Sequence, residues 1–226
     1  MTRDEKLARY RHLREINTGQ QNGALSCVSR DTMMDCARRI GMTEGRALVL
    51  DSPEQMTLVF DLAVYTGKLG RSRAIDRYGR RTGPGLTGDE AMMLHAAQGA
   101  RFRIWRVEGP HEALGLWVTD VVLGGTTWLI DEGLETSSPV GALCAGRLMT
   151  VDDFAMTCGV LVPVSAELLI AALGTIPNVA SYGREDLLDD PRFAIGIYRA
   201  AIETGTMENV RFLDSDEQVL EAEMAD

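Results

Sequence analysis

The sequence predicts an α+β protein: an N-terminal helical region, a five-stranded antiparallel β region of barrel-like or sandwich form, and C-terminal helices. Two observations carry this prediction. Apolar residues recur three and four apart up to about residue 100, and beyond it they fall in short runs rich in Val, Ile, Leu, Thr and Trp. Capping residues and Gly/Pro clusters separate the resulting segments.

In residues 4–16, Leu7, Tyr10, Leu13 and Ile16 form the stripe of an amphipathic helix, and the polar run Asn17–Gly23 predicts a loop after it. Leu25, Val28, Met33, Cys36 and Ile40 predict a helix over 25–40, stopped by Gly41. After the apolar Leu48–Leu50, Ser52 with Gln55 reads as a capping box and Pro53 as a first-turn residue. The helix they open, MTLVFDLAVY, is apolar on nearly every side and belongs at the centre of the helical core. Gly67 and Gly70 end it. A basic helix over Ser72–Arg80, a TGPGL loop and a helix from Thr87 through Gln98, opened by Thr87 with Glu90, complete the front.

Five strands are predicted next, at Arg101–Glu108, Leu114–Leu123, Thr126–Asp131, Leu143–Thr150 and Ala155–Val164, with Gly124-Gly125 as a two-residue hairpin. Ser165 then caps the helix AELLIAAL, and residues 191–203 place Phe193, Ile197 and Ala201 on a last amphipathic face. This divides the chain into a helical region (1–99), a β region (100–164), C-terminal helices packing on the rest (165–213) and an acidic tail (214–226) expected to be mobile.

With 45% hydrophobic and 25% charged residues, the 226-residue chain has the composition of a globular protein with a substantial core. Its start, MTRDEKLARYRHLRE, lacks the apolar stretch of a secretory signal. The longest nearly apolar tract, Val160–Leu173, is shorter than the roughly 20 residues that cross a bilayer. The expectation is a cytoplasmic protein with no membrane association. Cys27, Cys36, Cys144 and Cys158 form no CxxC pair and only three histidines accompany them, which predicts reduced thiols and neither metal nor cofactor.

Charge is unevenly placed. Residues 1–81 hold 15 Lys+Arg against 10 Asp+Glu, and residues 82–226 hold 8 against 23, within an overall net charge of −10. The strongest local anomaly is Lys68–Arg81, where Lys68, Arg71, Arg73, Arg77, Arg80 and Arg81 face the single acid Asp76. Arginines three and four apart share a helical face and suit an anionic partner, an acidic protein or a phosphate-containing ligand. The bland alternative is a solvated face that pairs with acids elsewhere, including the acidic tail.

Other candidates are weaker. Residues 31–50, with Ala37 and Gly41 four apart, echo a helix-turn-helix, but Gly45 and Ser52-Pro53 leave about eight residues where a recognition helix is needed. Trp105, Trp117 and Trp128 fall on three consecutive predicted strands, as base-stacking aromatics do in oligonucleotide-binding barrels. Residues 100–164, however, carry four basic residues against eight acidic ones, so core packing is the better reading and net charge disfavours nucleic acid. For catalysis, Asp61 is the sole charge in its apolar helix, a candidate base with a raised pKa, and is expected instead with Thr57 on the less buried face or capping a neighbouring element. Paired with His95 it offers only a dispersed, hydrolase-like site, and no catalytic motif stands in a suitable context.

From Ala37 to Gly159 the chain resembles a family of bacterial proteins without assigned chemistry, some of them described near SEC-C-type zinc motifs. The resemblance rests on ARRIGM followed by ALVLDSPEQ, on Asp61-Leu62-Ala63-Val64-Tyr65, AIDRYGRR, LTGDEAMMLHAA and ARFRIWRVEG, and on a GGTTWLIDE hairpin. It implies a bacterial source and a helical front with a β half behind. It implies no activity, and the cysteine-rich tail of the SEC-C motif is absent from this sequence, so no metal carries over. The residues together favour a non-catalytic binding module that engages an anionic partner through Lys68–Arg81. Nucleic-acid binding and a dispersed Asp61/His95 enzyme are the alternatives.

Overall fold

A computed structural model describes residues 2–67 and 72–209 of the chain. The acidic tail, 214–226, lies outside the described residues.

The helical front consists of α1 (Arg3–Leu25), α2 (Arg30–Arg39), a minimal hairpin of β1 (Thr43–Glu44) and β2 (Ala47–Leu48), α3 (Pro53–Tyr65), α4 (Ala74–Thr82) and α5 (Gly88–Gly99). Thr2 starts α1 through a reciprocal capping box with Glu5.

The loop expected at Asn17–Gly23 is instead helix, with two of its glutamines engaged across the core. The Gln20 amide donates to the Glu90 carbonyl (2.7 Å), and that of Gln21 donates to Tyr65 Oη (3.0 Å) and the Cys158 carbonyl (2.6 Å). Gly23 marks a close approach rather than a stop: a Cβ there would sit 2.4 Å from the ring of Tyr78 on α4. The helix expected over 25–40 begins only after a break, with Ser29 capping α2 through the Thr32 amide. Residues 43–48, where a recognition helix would have to lie, pair as strands. Both helices with anticipated capping boxes start where expected, but neither Ser52 nor Thr87 makes the side-chain bond. Gln55 caps the Asp51 amide instead.

All five strands of the β region form: β3 (Arg101–Pro110), β4 (Leu116–Asp120), β5 (Thr126–Leu129), β6 (Leu143–Val151) and β7 (Phe154–Pro163), with α6 (Glu132–Ser137) between β5 and β6. They close in the order β3-β4-β5-β7-β6. The expected antiparallel barrel is a mixed one, since β5 meets β7 in parallel at Leu129 and Ala155. Topology forces this, because strands cannot alternate up and down around a closed ring of five without one parallel neighbour pair. The Gly124-Gly125 turn is also longer than two residues. The Asp120 carboxylate takes the amides of Val122 and Leu123 and ends β4 early.

Trp105, Val107, Leu116, Val118, Leu129, Cys144 and Ala155 fill the barrel, and Leu134 of α6 packs with them. Helices sheathe the outside. α1, α4 and α5 pack on one flank. On the other, α2 and α3 are joined by α7 (Ala166–Gly174) and α9 (Pro191–Glu203), with the short α8 (Arg184–Asp189) before α9. Trp105 is fully buried, Trp128 is buried and Trp117 half-buried, so none of the three forms an open stacking platform. Among the described residues no helix is long and apolar enough to cross a membrane.

Candidate anion-binding site

The predicted basic segment divides once folded. Lys68 and Arg71 lie outside the described residues. Arg73 caps the start of α4 and turns inward, donating from Nε and Nη2 to Asp76 (2.8 Å each) and from Nη2 to the Gln98 carbonyl (2.7 Å). Arg77 reaches the carbonyls of Ser72 (2.5 Å) and Cys27 (3.2 Å), which ties α4 to the connection between α1 and α2. Arg80 and Arg81 are exposed; Arg80 donates to Ser72 Oγ.

The bond from Arg77 to Cys27 sets the beginning of α2, with exposed Arg30, beside α4. Among the described residues, Arg30, Arg39, Arg46, Arg77, Arg80 and Arg81 have no carboxylate within ion-pair distance. This is unusual for the molecule. Every cation described on α1 reaches an acid: Arg3 pairs with Glu135, Lys6 with Asp153, Arg9 with Asp89 and Asp152, Arg11 with Glu132 and Arg14 with Asp131.

A second arrangement escaped the sequence reading. Asp61 does not sit on an open face of α3 but is buried, taking bonds from Arg147 Nε of β6 to both oxygens (3.0 and 2.9 Å) and from the Tyr198 hydroxyl of α9 (2.9 Å). Burial pushes the Asp61 carboxyl above its ordinary value, with Arg147 and then Tyr198 pulling it back. Burial also works against the charge of Arg147, but the neighbouring Asp61 and Tyr198 outweigh it and the guanidinium stays protonated. The rings of Tyr65 and Phe102 flank that guanidinium at 5.4 and 5.6 Å. A lone acid in an apolar helix and a lone arginine in the apolar strand LCAGRLMTV were the available signal. What the sequence lacks is the pairing of two residues so far apart.

The remaining catalytic candidates do not assemble. His95 is exposed on α5, and among the described residues no hydrogen bond joins it to Asp61. His12 bonds Asp89, and His111 stacks on Trp128 with ring centroids 4.0 Å apart. None of the four cysteines forms a disulfide, and burial pushes the Cys158 and Cys144 thiols up to about 12, far from a nucleophile's range. Among the described residues no three His, Cys, Asp or Glu side chains are grouped to hold a metal ion.

Among the described residues, one surface cavity, of about 320 Å³, lies at the barrel end by Arg103, Asp120 and Thr126, where Arg103 faces Asp120 at 3.4 Å. Another, of about 280 Å³, lies between the end of α3, the start of β3 and the turn from α8 to α9, with Arg147 in its wall.

No curated protein and no solved structure matches the chain. Residues 4–170, from α1 through the barrel into α7, match a family model described as a family of unknown function. The chain belongs to that family, DUF7986, whose extent takes in both the cationic edge and the Asp61–Arg147 pair.

Proposed function

We propose that the protein is a non-catalytic binding module that engages an anionic partner, an acidic protein or a phosphate-containing ligand, through the cationic segment Lys68–Arg81. One observation carries the reading: among the described residues, arginines on α4 and at the start of α2 have no carboxylate partner, in a chain with ten more acids than bases. A cationic patch maintained inside an acidic protein attracts anions locally while the net charge repels them at long range, which favours a short contact over a long polyanion track. Cysteines without a disulfide fit a reducing, cytoplasmic setting in a bacterial cell.

Nucleic acid across the barrel is the less favoured reading. Five-stranded barrels elsewhere bind oligonucleotides on their second and third strands. Here the basic residues near those strands are matched, Arg103 by Asp120 and Arg106 by Glu108.

Retention on heparin at low salt tests the proposal. Arg80→Glu/Arg81→Glu uses exposed positions and leaves the inward bonds of Arg73 and Arg77 in place. The variant should elute at clearly lower salt than the wild type. Identical elution of the two would remove this surface from consideration.

A further inference from the structure

The side chain of Arg147 is 7% exposed, yet only one of its nitrogens is used by the protein. A guanidinium presents five N–H donors in a rigid fork. Here Nε serves both oxygens of Asp61, and among the described residues Nη1 and Nη2 have no hydrogen-bond partner. Neither nitrogen belongs to the fully buried unsatisfied atoms, and Arg147 lines the 280 Å³ cavity beside Tyr65 and Phe102, so the free end of the fork faces that cavity.

We propose that this cavity binds a small organic monocarboxylate, its two oxygens taken end-on by Nη1 and Nη2 of Arg147. Three features support that chemistry. The first is shape: two parallel N–H donors on one plane match a carboxylate better than any single-point acceptor. The second is size and lining. The volume equals that of about nine waters at roughly 30 Å³ each and lies at the small end of ligand pockets. Leu188, Pro191 and Ala194 give it an apolar wall for a hydrocarbon body.

The third is charge. Among the described residues, Asp61 already balances Arg147, Asp76 balances Arg73 and Arg192 balances Asp190, so the described lining offers little surplus for a dianion. Asp189, exposed and 3.6 Å from Arg101, adds a like charge to the lining that weighs more heavily on phosphate than on a carboxylate, and twice as heavily on the phosphate dianion. Arg73 belongs to both the cavity wall and the partner segment, but Arg80 and Arg81 do not line this cavity, so the two readings are tested at different residues.

Calorimetric titration of the whole protein at low ionic strength and pH 7 tests it, with benzoate, its neutral isostere benzamide, and inorganic phosphate as probes. Benzoate should bind saturably at one site, with benzamide and phosphate weaker by roughly tenfold or more. Asp189→Asn, at an exposed position, should tighten benzoate by roughly threefold, since it removes a like charge and releases Arg101. Arg147→Lys keeps a cation near Asp61 but loses the fork, and should weaken benzoate by roughly tenfold. Equal binding of benzoate and benzamide, a preference for phosphate, or an Asp189→Asn variant no tighter than wild type would each overturn the assignment. The last three comparisons hold even if Arg147→Lys fails to fold.

Discussion

Helix α1 and the edge made by α4 with the start of α2 are both arginine-rich in sequence, and the fold treats them in opposite ways. On α1, cations from Arg3 to Arg14 are consumed by carboxylates of α5, α6 and the β6–β7 turn, all of them more than 70 residues away in the chain. On the other edge, Arg30, Arg80 and Arg81 find no described acid, and Arg77 reaches only carbonyl oxygens. A basic run is therefore not by itself a docking surface. What decides is whether the tertiary structure delivers acids to it, and local sequence carries no record of that.

The comparison can be tested from the matched side first. Asp61→Ala would leave Arg147 buried without its counter-charge and should cost about 3–5 kcal/mol in urea unfolding. A loss below about 1 kcal/mol would show that the cavity hydrates the arginine well enough to make the pair dispensable. Arg14→Met comes next. Arg14 seals the place where β5 and β7 diverge, donating to the Thr157 carbonyl (2.6 Å), Thr157 Oγ1 (3.0 Å), Asp131 (3.2 Å) and the Tyr10 hydroxyl (2.8 Å). Its loss should cost about 2–3 kcal/mol. A loss no greater than that of Arg11→Met, an exposed pair on the same helix, would erase the distinction between sealing and surface contacts.

The thiols sharpen the same contrast through pH. In the native state burial holds Cys144 and Cys158 protonated up to about 12, whereas an unfolded thiol ionises near its ordinary value of about 8.5. Folded values raised above unfolded ones contribute stability that is fully present below the unfolded value and is lost as pH rises toward the folded one. Unfolding free energy should therefore fall between about pH 9 and 12, by up to roughly 1.4 kcal/mol per pH unit for each thiol. Cys158→Ala should remove one thiol's share of that slope; an unchanged slope would assign it to other groups. The smallest effect belongs to the open edge. Arg80→Glu/Arg81→Glu should move stability by no more than about 0.5 kcal/mol, and a larger drop would mean that these arginines hold the fold rather than await a partner.

What could be read from sequence follows the same division between local and distant causes. The five strands were legible as short apolar runs between Gly, Pro and Asp clusters, and β3 sends Phe102 and Ile104 to the helical sheath against Trp105 and Val107 in the barrel. Helix α9 was legible over its whole length for the same reason, its apolar face being written within thirteen residues. The second half of α1 was not. Gln20 and Gln21 have the composition of a loop and become helical only because acceptors on α5, α3 and β7 are waiting for their amides. Nor was the site around Asp61, whose partners lie 86 and 137 residues further on.

Tyr198 carries one more consequence. The family match ends at residue 170, yet the hydroxyl that completes the shell around Asp61 comes from α9, which begins at Pro191. Trimming the chain to its matched portion would strip a donor from an interior carboxylate and uncover Phe102, against whose ring Phe193 and Tyr198 pack edge-on. The interior of the matched segment is thus completed in this protein by residues beyond it, and a relative lacking α9 must satisfy that carboxylate by some other group or do without it.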